Sequence, residues 1–366
     1  MKALIFSKLN ALGDSVVALP ALQHLRTEFP DTRIIILCSE IGRQVFEGTI
    51  ANIECVASTR QMSHGWRSLA LIPKYWRRLR GQTLSGALCS SDEPAFVYIL
   101  GMALGVQRRI GFSAGFSFGE RLLTECIPLN REKNVVELNL DLAMAFTGNR
   151  RTTPCRVPLV YTADDAQHVS EALKPLGIPP GAPFVAMHPW AKLEHKEWPL
   201  ERFVALGKLI EKDYSLPVIF ISDTYRDTLE GLNVLAGLTI KQLACVLEHT
   251  RLFIGNNSGP LHVAAAMGTA TVSLLGPSPL NWSVYWRDAP HRTIARNDMA
   301  CAPCIRLGQG TAECENSVTR HGCLLGISVK EVLEVCEDVF SRLTPADGFQ
   351  AEEVGPPPCT GDTRDD

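Results

Sequence analysis

The sequence lacks the features that define membrane proteins and two common classes of nucleotide-binding protein. No run of about 18 apolar residues is present, so we predict no membrane span. No G-x-G-x-x-G follows the first predicted strand and no G-x-x-x-x-G-K-[ST] occurs, which argues against a classical nicotinamide dehydrogenase and a P-loop nucleotidase. The net charge of only -3 offers no attraction for a polyanion, so nucleic acid is not an expected partner.

The apolar N-terminus has the composition of a secretory signal but not its pattern. Lys8 and Asp14 interrupt the apolar run, and the alternation over residues 2–8 fits a β-strand better. We therefore expect a cytoplasmic protein. Most of the twelve cysteines stand singly in apolar runs, which is typical of buried, reduced thiols.

Strand and helix patterns alternate in two separate parts of the chain. Residues 2–8 and 32–38 read as strands around a helix from about residue 15 to residue 29, in which Pro20 predicts a kink or a late start. After a proline-rich stretch, the alternation restarts at residue 183. This predicts an α/β fold with two doubly wound, Rossmann-like domains, at residues 1–160 and 183–343, joined by a linker at 161–182 and followed by a disordered tail at 344–366.

The loop after the first strand contains Gly13, Asp14 and Ser15. It leaves the carboxyl end of the strand, where open α/β sheets bind ligands, and Gly13 allows backbone geometry that other residues resist. Asp14 has two interpretations: a catalytic base, or an ordinary cap of the following helix.

A second loop, residues 255–262, combines short polar residues with a helix start. Ser258 and Gly259 precede Pro260, which favours the first turn of a helix, and His262 would lie in that turn. Free backbone N–H groups and the helix dipole would suit a diphosphate, although an ordinary capped turn has the same glycine and cap. In a third loop, residues 188–199, Lys192 or Lys196 could neutralise a diphosphate, and Trp198 could pack beneath it. Without further evidence, lysines in a loop are more simply interpreted as solvent-exposed side chains.

Together these segments resemble glycosyltransferase family 9, the ADP-heptose:lipopolysaccharide heptosyltransferases. The resemblance spans about residues 1–340 and is most specific at residues 254–269 and 275–279. The other matching segments are Gly13-Asp14 with Pro20-Ala21-Leu22, Arg109-Ile110-Gly111-Phe112, Glu137-x-Asn139, Lys196-x-Trp198-Pro199 with Glu201-Arg202-Phe203, and residues 235–244.

The resemblance implies a GT-B fold, with the acceptor on the N-terminal domain, the donor on the C-terminal domain and a cleft between them. By this likeness Asp14 is the general base and Lys196 binds the donor pyrophosphate. The donor-phosphate loop is then formed by Asn257, Ser258, Gly259, Pro260 and His262, with Gly13 and Ser15 on the acceptor side.

The activity implied is inverting, metal-independent transfer of heptose from ADP-heptose to the anionic glycolipid of the lipopolysaccharide inner core. Alternatives are another nucleotide sugar, a protein acceptor, or a catalytically silent nucleotide-sugar binding protein. Two departures from the family pattern bear on the donor. Asn257 stands where the family usually has an acid, and the segment 222–232 is short, with Asp223, Asp227 and Glu230 as candidate donor-binding acids.

Two further segments are not explained by this activity. Cys301, Cys304, Cys314 and Cys323 lie within 23 residues, and thiolates with this spacing suit structural Zn²⁺ or iron, with disulfides or reduced thiols as the alternatives. Some protein-modifying members of the family resembled hold iron in this region. The basic, aromatic residues 74–80 are either a solvated helix face or a contact with an anionic lipid acceptor at the inner membrane.

Overall fold

The computed structural model describes residues 2–8, 11–58, 66–90, 94–113, 118–149, 153–226, 230–296, 298–305, 313–314, 316 and 318–343. The predicted tail at 344–366 and the candidate acid Asp227 lie outside the described residues. The chain divides into two compact units, and the boundary falls between Val157 and Pro158.

The first unit is built on a parallel sheet. Its strands are β1 (Lys2–Lys8), β2 (Arg33–Ser39), β3 (Ile53–Ser58), β4 (Thr83–Cys89), β5 (Arg109–Ser113) and β6 (Glu125–Pro128). Its helices are α1 (Leu12–Val16), α2 (Leu19–Glu28), α3 (Glu40–Phe46), α4 (Ile72–Leu79), α5 (Pro94–Ala103) and α6 (Val135–Thr147). The strand order is β3-β2-β1-β4-β5-β6. The central β1 is buried from its second residue onward, as expected for a strand covered on both faces.

The late helix start predicted at Pro20 is confirmed, because α2 begins at Leu19 and the residues before it form the separate short helix α1. Pro20 occupies the first turn of α2, where a missing N–H is tolerated, so the proline favours a new helix start there. Val17, between the helices, is hydrogen-bonded to a residue distant in the sequence. The Asn139 side chain donates to the Val17 carbonyl at 3.4 Å and to Val135 at 2.8 Å.

The second unit repeats the design. Its strands are β7 (Val185–His188), β8 (Val218–Ser222), β9 (Val234–Ala236), β10 (Leu252–Asn256), β11 (Thr271–Leu275) and β12 (His291–Ala295). Its helices are α7 (Ala163–Leu173), α8 (Leu200–Tyr214), α9 (Ile240–Glu248), α10 (Gly259–Met267), α11 (Gly322–Leu325) and α12 (Val329–Arg342). The segment 161–182, predicted as a linker, contains α7, which packs on α9. Tyr161 is hydrogen-bonded to Glu248 at the end of α9.

Both sheets reverse their strand order at an equivalent place. The second sheet runs β12-β11-β10-β7-β8-β9, so β7 and β10 are neighbours there as β1 and β4 are in the first sheet. Connections on either side of such a pair run in opposite directions, which leaves a crevice beyond the carboxyl ends of the strands. This is where ligands bind in open α/β sheets, and all three predicted loops follow β1, β7 or β10.

Candidate functional site

The second unit's switch point is formed by the ends of β7 and β10. Gly255 on β10 is in register with His188 at the end of β7. The two backbones lie close together, because a Cβ at position 255 would come 3.0 Å from the His188 carbonyl oxygen. A glycine at this position therefore lets the two loops begin side by side.

The loop after β10 leads directly into α10. Ser258 is the N-cap residue, with extended backbone, and Pro260 stands in the first turn of the helix. The Ser258 hydroxyl lies 3.3 Å from Nδ1 of His188. The first-turn amides and the positive end of the α10 dipole therefore face the edge of the sheet where an anion would be stabilised. His262 lies in the same N-terminal part of α10 and is partly exposed.

The loop after β7 is fixed to the end of β10 by one asparagine. Asn256 accepts from the Trp198 N–H at 3.0 Å and donates to the Pro189 carbonyl at 2.6 Å. Trp198 is fully buried, and its ring nitrogen donates to the Ile327 carbonyl at 2.9 Å. Trp198 is therefore a core residue that holds the end of the loop, whereas Lys192 is exposed.

Trp282 brings the two predicted donor loops together. The Lys196 ammonium lies 5.6 Å from the centre of the Trp282 ring, within the range of a cation–π contact. Asn257 donates from its side-chain amide to the Trp282 carbonyl at 3.1 Å. Lys196 and Asn257, just before α10, thus share a neighbour, although they are 61 residues apart in the sequence. Sequence reasoning missed Trp282, since its only signal was a tryptophan soon after the segment that forms β11.

An arginine that sequence reasoning also missed, Arg226, lies four residues beyond the end of β8. The Arg226 guanidinium sits 4.9 Å from the Trp190 ring centre and donates to Asp223 at 2.9 Å. This hydrogen bond lowers the pKa of the Asp223 carboxyl, the acid considered from the sequence. Of the other candidates, Glu230 is exposed.

His188 is neutral at physiological pH. Burial lowers its pKa from 6.5 to about 4, while Asp223 raises it and Arg226 lowers it further. A neutral imidazole beside Ser258 adds no positive charge of its own. The positive charge described at this edge comes from groups such as Lys196 and Arg226, which contact Trp282 and Trp190.

In the first unit, Asp14 is the third residue of α1. Its carboxylate accepts from the Ala11 N–H at 3.3 Å, so it stabilises the helix start from the third helical position, whereas the N-cap residue is Ala11. The carboxylate also lies 4.0 Å from the Lys8 ammonium and its side chain is 39% exposed. Lys8 itself is buried and donates to the Ser90 carbonyl, just past β4, at 2.8 Å. Asp14 is therefore an accessible carboxylate at the switch point of the first sheet.

Gly13 and Ser15 lie inside the helix rather than in a loop. The expectation of unusual backbone geometry at Gly13 is wrong, because α1 begins at Leu12 and Gly13 is its second residue. Ser15 is fully buried, and its hydroxyl donates to the Ala11 carbonyl at 3.2 Å.

Comparison with known proteins identifies the family. The family model described as glycosyltransferase family 9 (heptosyltransferase) matches residues 74–310. The chain belongs to glycosyltransferase family 9. It is similar to lipooligosaccharide heptosyltransferase 2 of Campylobacter jejuni, at 21% identity over 90% of this chain and 96% of the relative. It is also similar to lipopolysaccharide heptosyltransferase 3 of Escherichia coli, at 28% identity over 75% and 83%.

Solved structures confirm the GT-B fold predicted for this family 9 glycosyltransferase. A family 9 protein from Veillonella parvula has a TM-score of 0.74 at 18% identity, covering 93% of this chain and 98% of that one. The Escherichia coli heptosyltransferase WaaC, with ADP-2-deoxy-2-fluoro heptose, has a TM-score of 0.65 at 16% identity, covering 92% and 99%. The iron-containing, dodecameric glycosyltransferase TibC of Escherichia coli has a TM-score of 0.60 at 15% identity, covering 93% and 76%.

The four clustered cysteines of this family 9 enzyme line one small pocket. The pocket has a volume of about 20 Å³, which is room for a single water or ion, and its lining also includes His195 and His321. None of these four cysteines forms a disulfide. Cys301 accepts a hydrogen bond from the Asn316 side chain at 3.3 Å, and Cys314 accepts one from the His321 N–H at 3.4 Å.

The thiols and imidazoles that line this pocket are ligand types that suit a soft metal ion. Burial raises the pKa of Cys323 to about 11, and the three neighbouring thiols raise it as well, so a cation is needed if the thiolates are to coexist. The N–H groups on Cys301 and Cys314 are the hydrogen bonds that support metal-bound thiolates. Among the described residues, however, no three His, Cys, Asp or Glu side chains converge as closely as a bound ion requires. Binding would need the thiols to draw together.

The basic segment of the first unit forms α4. Tyr75 and Leu79 are buried in the core, whereas the remaining side chains of the segment are exposed, namely Lys74, Trp76, Arg77, Arg78 and Arg80. Arg80 lies 5.2 Å from the Trp76 ring centre. None of the helices in the described parts of the chain has the length and apolar character needed to cross a membrane.

Proposed function

We propose that this glycosyltransferase moves heptose from ADP-heptose to the lipopolysaccharide inner core with inversion at the anomeric carbon. The relatives' names and the ADP-sugar complex of WaaC support this donor and acceptor. The observation that carries the proposal is the meeting of Lys196 and the α10 loop at Trp282, beside the switch point of the second sheet.

On this proposal, the donor diphosphate binds at the start of α10. The backbone N–H groups near Ser258 and Gly259 donate to phosphate oxygens, and the helix dipole favours their charge. Lys196 neutralises the charge that develops as the diphosphate leaves, and Asn257, Pro260 and His262 complete the loop. Such preorganised positive groups stabilise the leaving group in the role that a divalent ion has in other enzymes.

On this proposal, the acceptor hydroxyl loses its proton to Asp14 of the first unit. The oxygen of this hydroxyl forms a bond to the anomeric carbon as the bond to the diphosphate breaks, and the proton passes to Asp14. General-base assistance of this kind contributes about 10²–10⁴-fold to the rate. Asp14→Asn keeps the shape of the side chain but removes the base, so turnover falls by this factor while binding of ADP stays unchanged.

A donor panel tests the proposal. Release of ADP or UDP is measured from ADP-heptose, ADP-glucose, UDP-glucose and UDP-N-acetylglucosamine, with and without a lipopolysaccharide core acceptor. Lys196→Ala weakens ADP binding and slows turnover, whereas Lys192→Ala, in the same loop but exposed, leaves both within twofold. A preference for another nucleotide sugar, or transfer only to a protein acceptor, favours a glycosyltransferase with a different donor or acceptor. Binding without any turnover indicates a silent binding protein.

The location that fits this substrate is the cytoplasmic face of the inner membrane. The exposed arginines and Trp76 of α4 suit peripheral contact with an anionic glycolipid. Co-sedimentation with anionic vesicles, compared with neutral vesicles, tests this contact. Replacement of Arg77 and Arg78 by glutamine reduces binding to the anionic vesicles if α4 makes the contact.

The cysteine pocket provides a structural metal site in this proposal. Cys301, Cys304, Cys314 and Cys323 would hold Zn²⁺ or iron, which would fasten the segment between β12 and α12 and take no part in the chemistry. Metal analysis of the purified protein, with Cys304→Ser as the control, tests this. Equal metal content in both proteins contradicts the site.

A further inference from the structure

Ser258, the N-cap residue of α10, differs from three other N-cap residues of the second unit. An N-cap hydroxyl normally accepts a hydrogen bond from the second or third N–H of its helix. At the starts of α7, α9 and α12 the hydroxyl accepts from the third N–H, each time at 3.2 Å; the residues are Thr162, Thr239 and Ser328. Among the residues that the structure describes, Ser258 makes no such bond to α10. Its hydroxyl is therefore directed elsewhere.

The Ser258 hydroxyl is paired with the last residue of β7. It lies 3.3 Å from Nδ1 of His188. The strand fixes this ring in place, because His188 is in register with Gly255 and its ring packs edge-on against Trp190, with the ring centres 5.9 Å apart. The φ angle of Ser258 is -144°, whereas the three capping residues have values between -66° and -94°. The pairing with His188 thus accompanies a more extended backbone just before α10.

This pairing affects one amide at the start of α10. The second residue of the helix is Pro260, which has no N–H, so Leu261 carries the N–H that the Ser258 hydroxyl would otherwise cap. The first four N–H groups of a helix have no partner within the helix itself. Because the hydroxyl is bonded to His188, the Leu261 N–H can donate to an anion, at the end of the helix where the dipole favours negative charge.

We propose that His188 is a positioning residue that holds the Ser258 hydroxyl away from the Leu261 N–H and so keeps this amide available to the donor diphosphate. The inference rests on the diphosphate site proposed at the start of α10. Without the imidazole, the hydroxyl turns to the Leu261 N–H, and a phosphate oxygen must then displace it. An N-cap hydrogen bond is worth about 1 kcal/mol, so this competition weakens nucleotide binding about fivefold.

The test measures ADP binding by calorimetry on the full chain, with and without the Ser258 hydroxyl. His188→Phe keeps a ring of similar size but removes the partner of the hydroxyl, so it weakens ADP binding about fivefold. In a Ser258→Ala background no hydroxyl can compete, and the same substitution changes the affinity by less than about twofold. His188→Asn places an amide near the position of Nδ1 and keeps a partner for the hydroxyl, so it binds ADP more tightly than His188→Phe.

A purely structural role of His188 predicts a different pattern. Equal weakening by His188→Phe with and without the Ser258 hydroxyl overturns the inference, as does unchanged affinity of His188→Phe. If the His188 variants do not fold, as judged by circular dichroism, hydrogen exchange of the Leu261 amide decides. In the free chain, Ser258→Ala leaves this exchange rate unchanged, because the hydroxyl is not bonded to the amide. Faster exchange in Ser258→Ala shows that the hydroxyl caps α10 and contradicts the inference.

Lys196→Ala separates this inference from the proposed function. If neither Lys196→Ala nor His188→Phe alters ADP affinity, the proposed diphosphate site itself fails. If Lys196→Ala weakens ADP binding while His188→Phe has the same effect in both backgrounds, only the positioning role of His188 fails.

Discussion

Acid should destabilise the second unit through His188. Its pKa is about 4 in the folded chain, mainly because burial disfavours the charged ring, and 6.5 without that burial. Above pH 6.5 the ring is neutral in both states, so it adds no pH dependence. As the pH falls from 6.5 to 4, the unfolded chain takes up a proton that the folded chain does not. The free energy of unfolding then falls by at most about 3 kcal/mol.

Urea unfolding followed by tryptophan fluorescence between pH 7.5 and pH 4 measures this loss. The signal reports on the second unit, which contains four of the six tryptophans. His188→Gln cannot titrate, so its stability should decline less steeply over the same interval. His168→Gln, at an exposed position of the same unit, should follow the wild type. Parallel curves for wild type and His188→Gln would falsify the assignment of a buried, neutral imidazole.

Three further substitutions have defined outcomes. Asn257→Ala removes the hydrogen bond to the Trp282 carbonyl, so calorimetry should show about tenfold weaker ADP binding; unchanged affinity contradicts the shared contact. Gly111→Ala places a Cβ 1.7 Å from the Tyr98 hydroxyl, which should lower unfolding free energy by about 3 kcal/mol; wild-type urea stability would show that this contact relaxes freely. Arg26→Met leaves five backbone carbonyls without their guanidinium donor and should cost about 3 kcal/mol in the same urea assay; a loss under 1 kcal/mol contradicts it.

Much of the fold could be predicted because both sheets are parallel. Their central strands are buried on both faces, so they appear in the sequence as continuous apolar runs such as residues 32–38. The strand order could not be read this way, since it depends on which runs pair across the sheet. The helix start at Leu12 was also missed. It depends on a hydrogen bond from the Ala11 N–H to the Asp14 side chain, and the spacing of apolar residues in the sequence carries no signal of such a bond.

The candidate site was predictable only where chemistry and local pattern coincide. Ser258, Gly259 and Pro260 are consecutive and precede a helix, so their arrangement follows from local rules. Trp282 and Arg226 enter through contacts between separate loops, and those contacts depend on how the strand ends are set side by side. The catalytic and donor-binding roles of the named residues stay predictions.

The family landmarks outside the donor loops have structural explanations. Glu137 accepts from the Asn134 N–H at 2.9 Å and closes the start of α6, while Asn139 holds the junction of α1 and α2. Arg109 donates to the carbonyls of Val106 and Leu122. Substitutions at these positions should therefore change stability before they change the preference for a donor.

The position of Trp282 also supplies an optical probe. Its indole faces the Lys196 ammonium, while its carbonyl is tied to Asn257, so any occupant that pulls the ammonium away alters the surroundings of the ring. A chain whose other tryptophans are replaced by phenylalanine would emit from this one ring, and titrating it would follow nucleotide arrival in real time without a label.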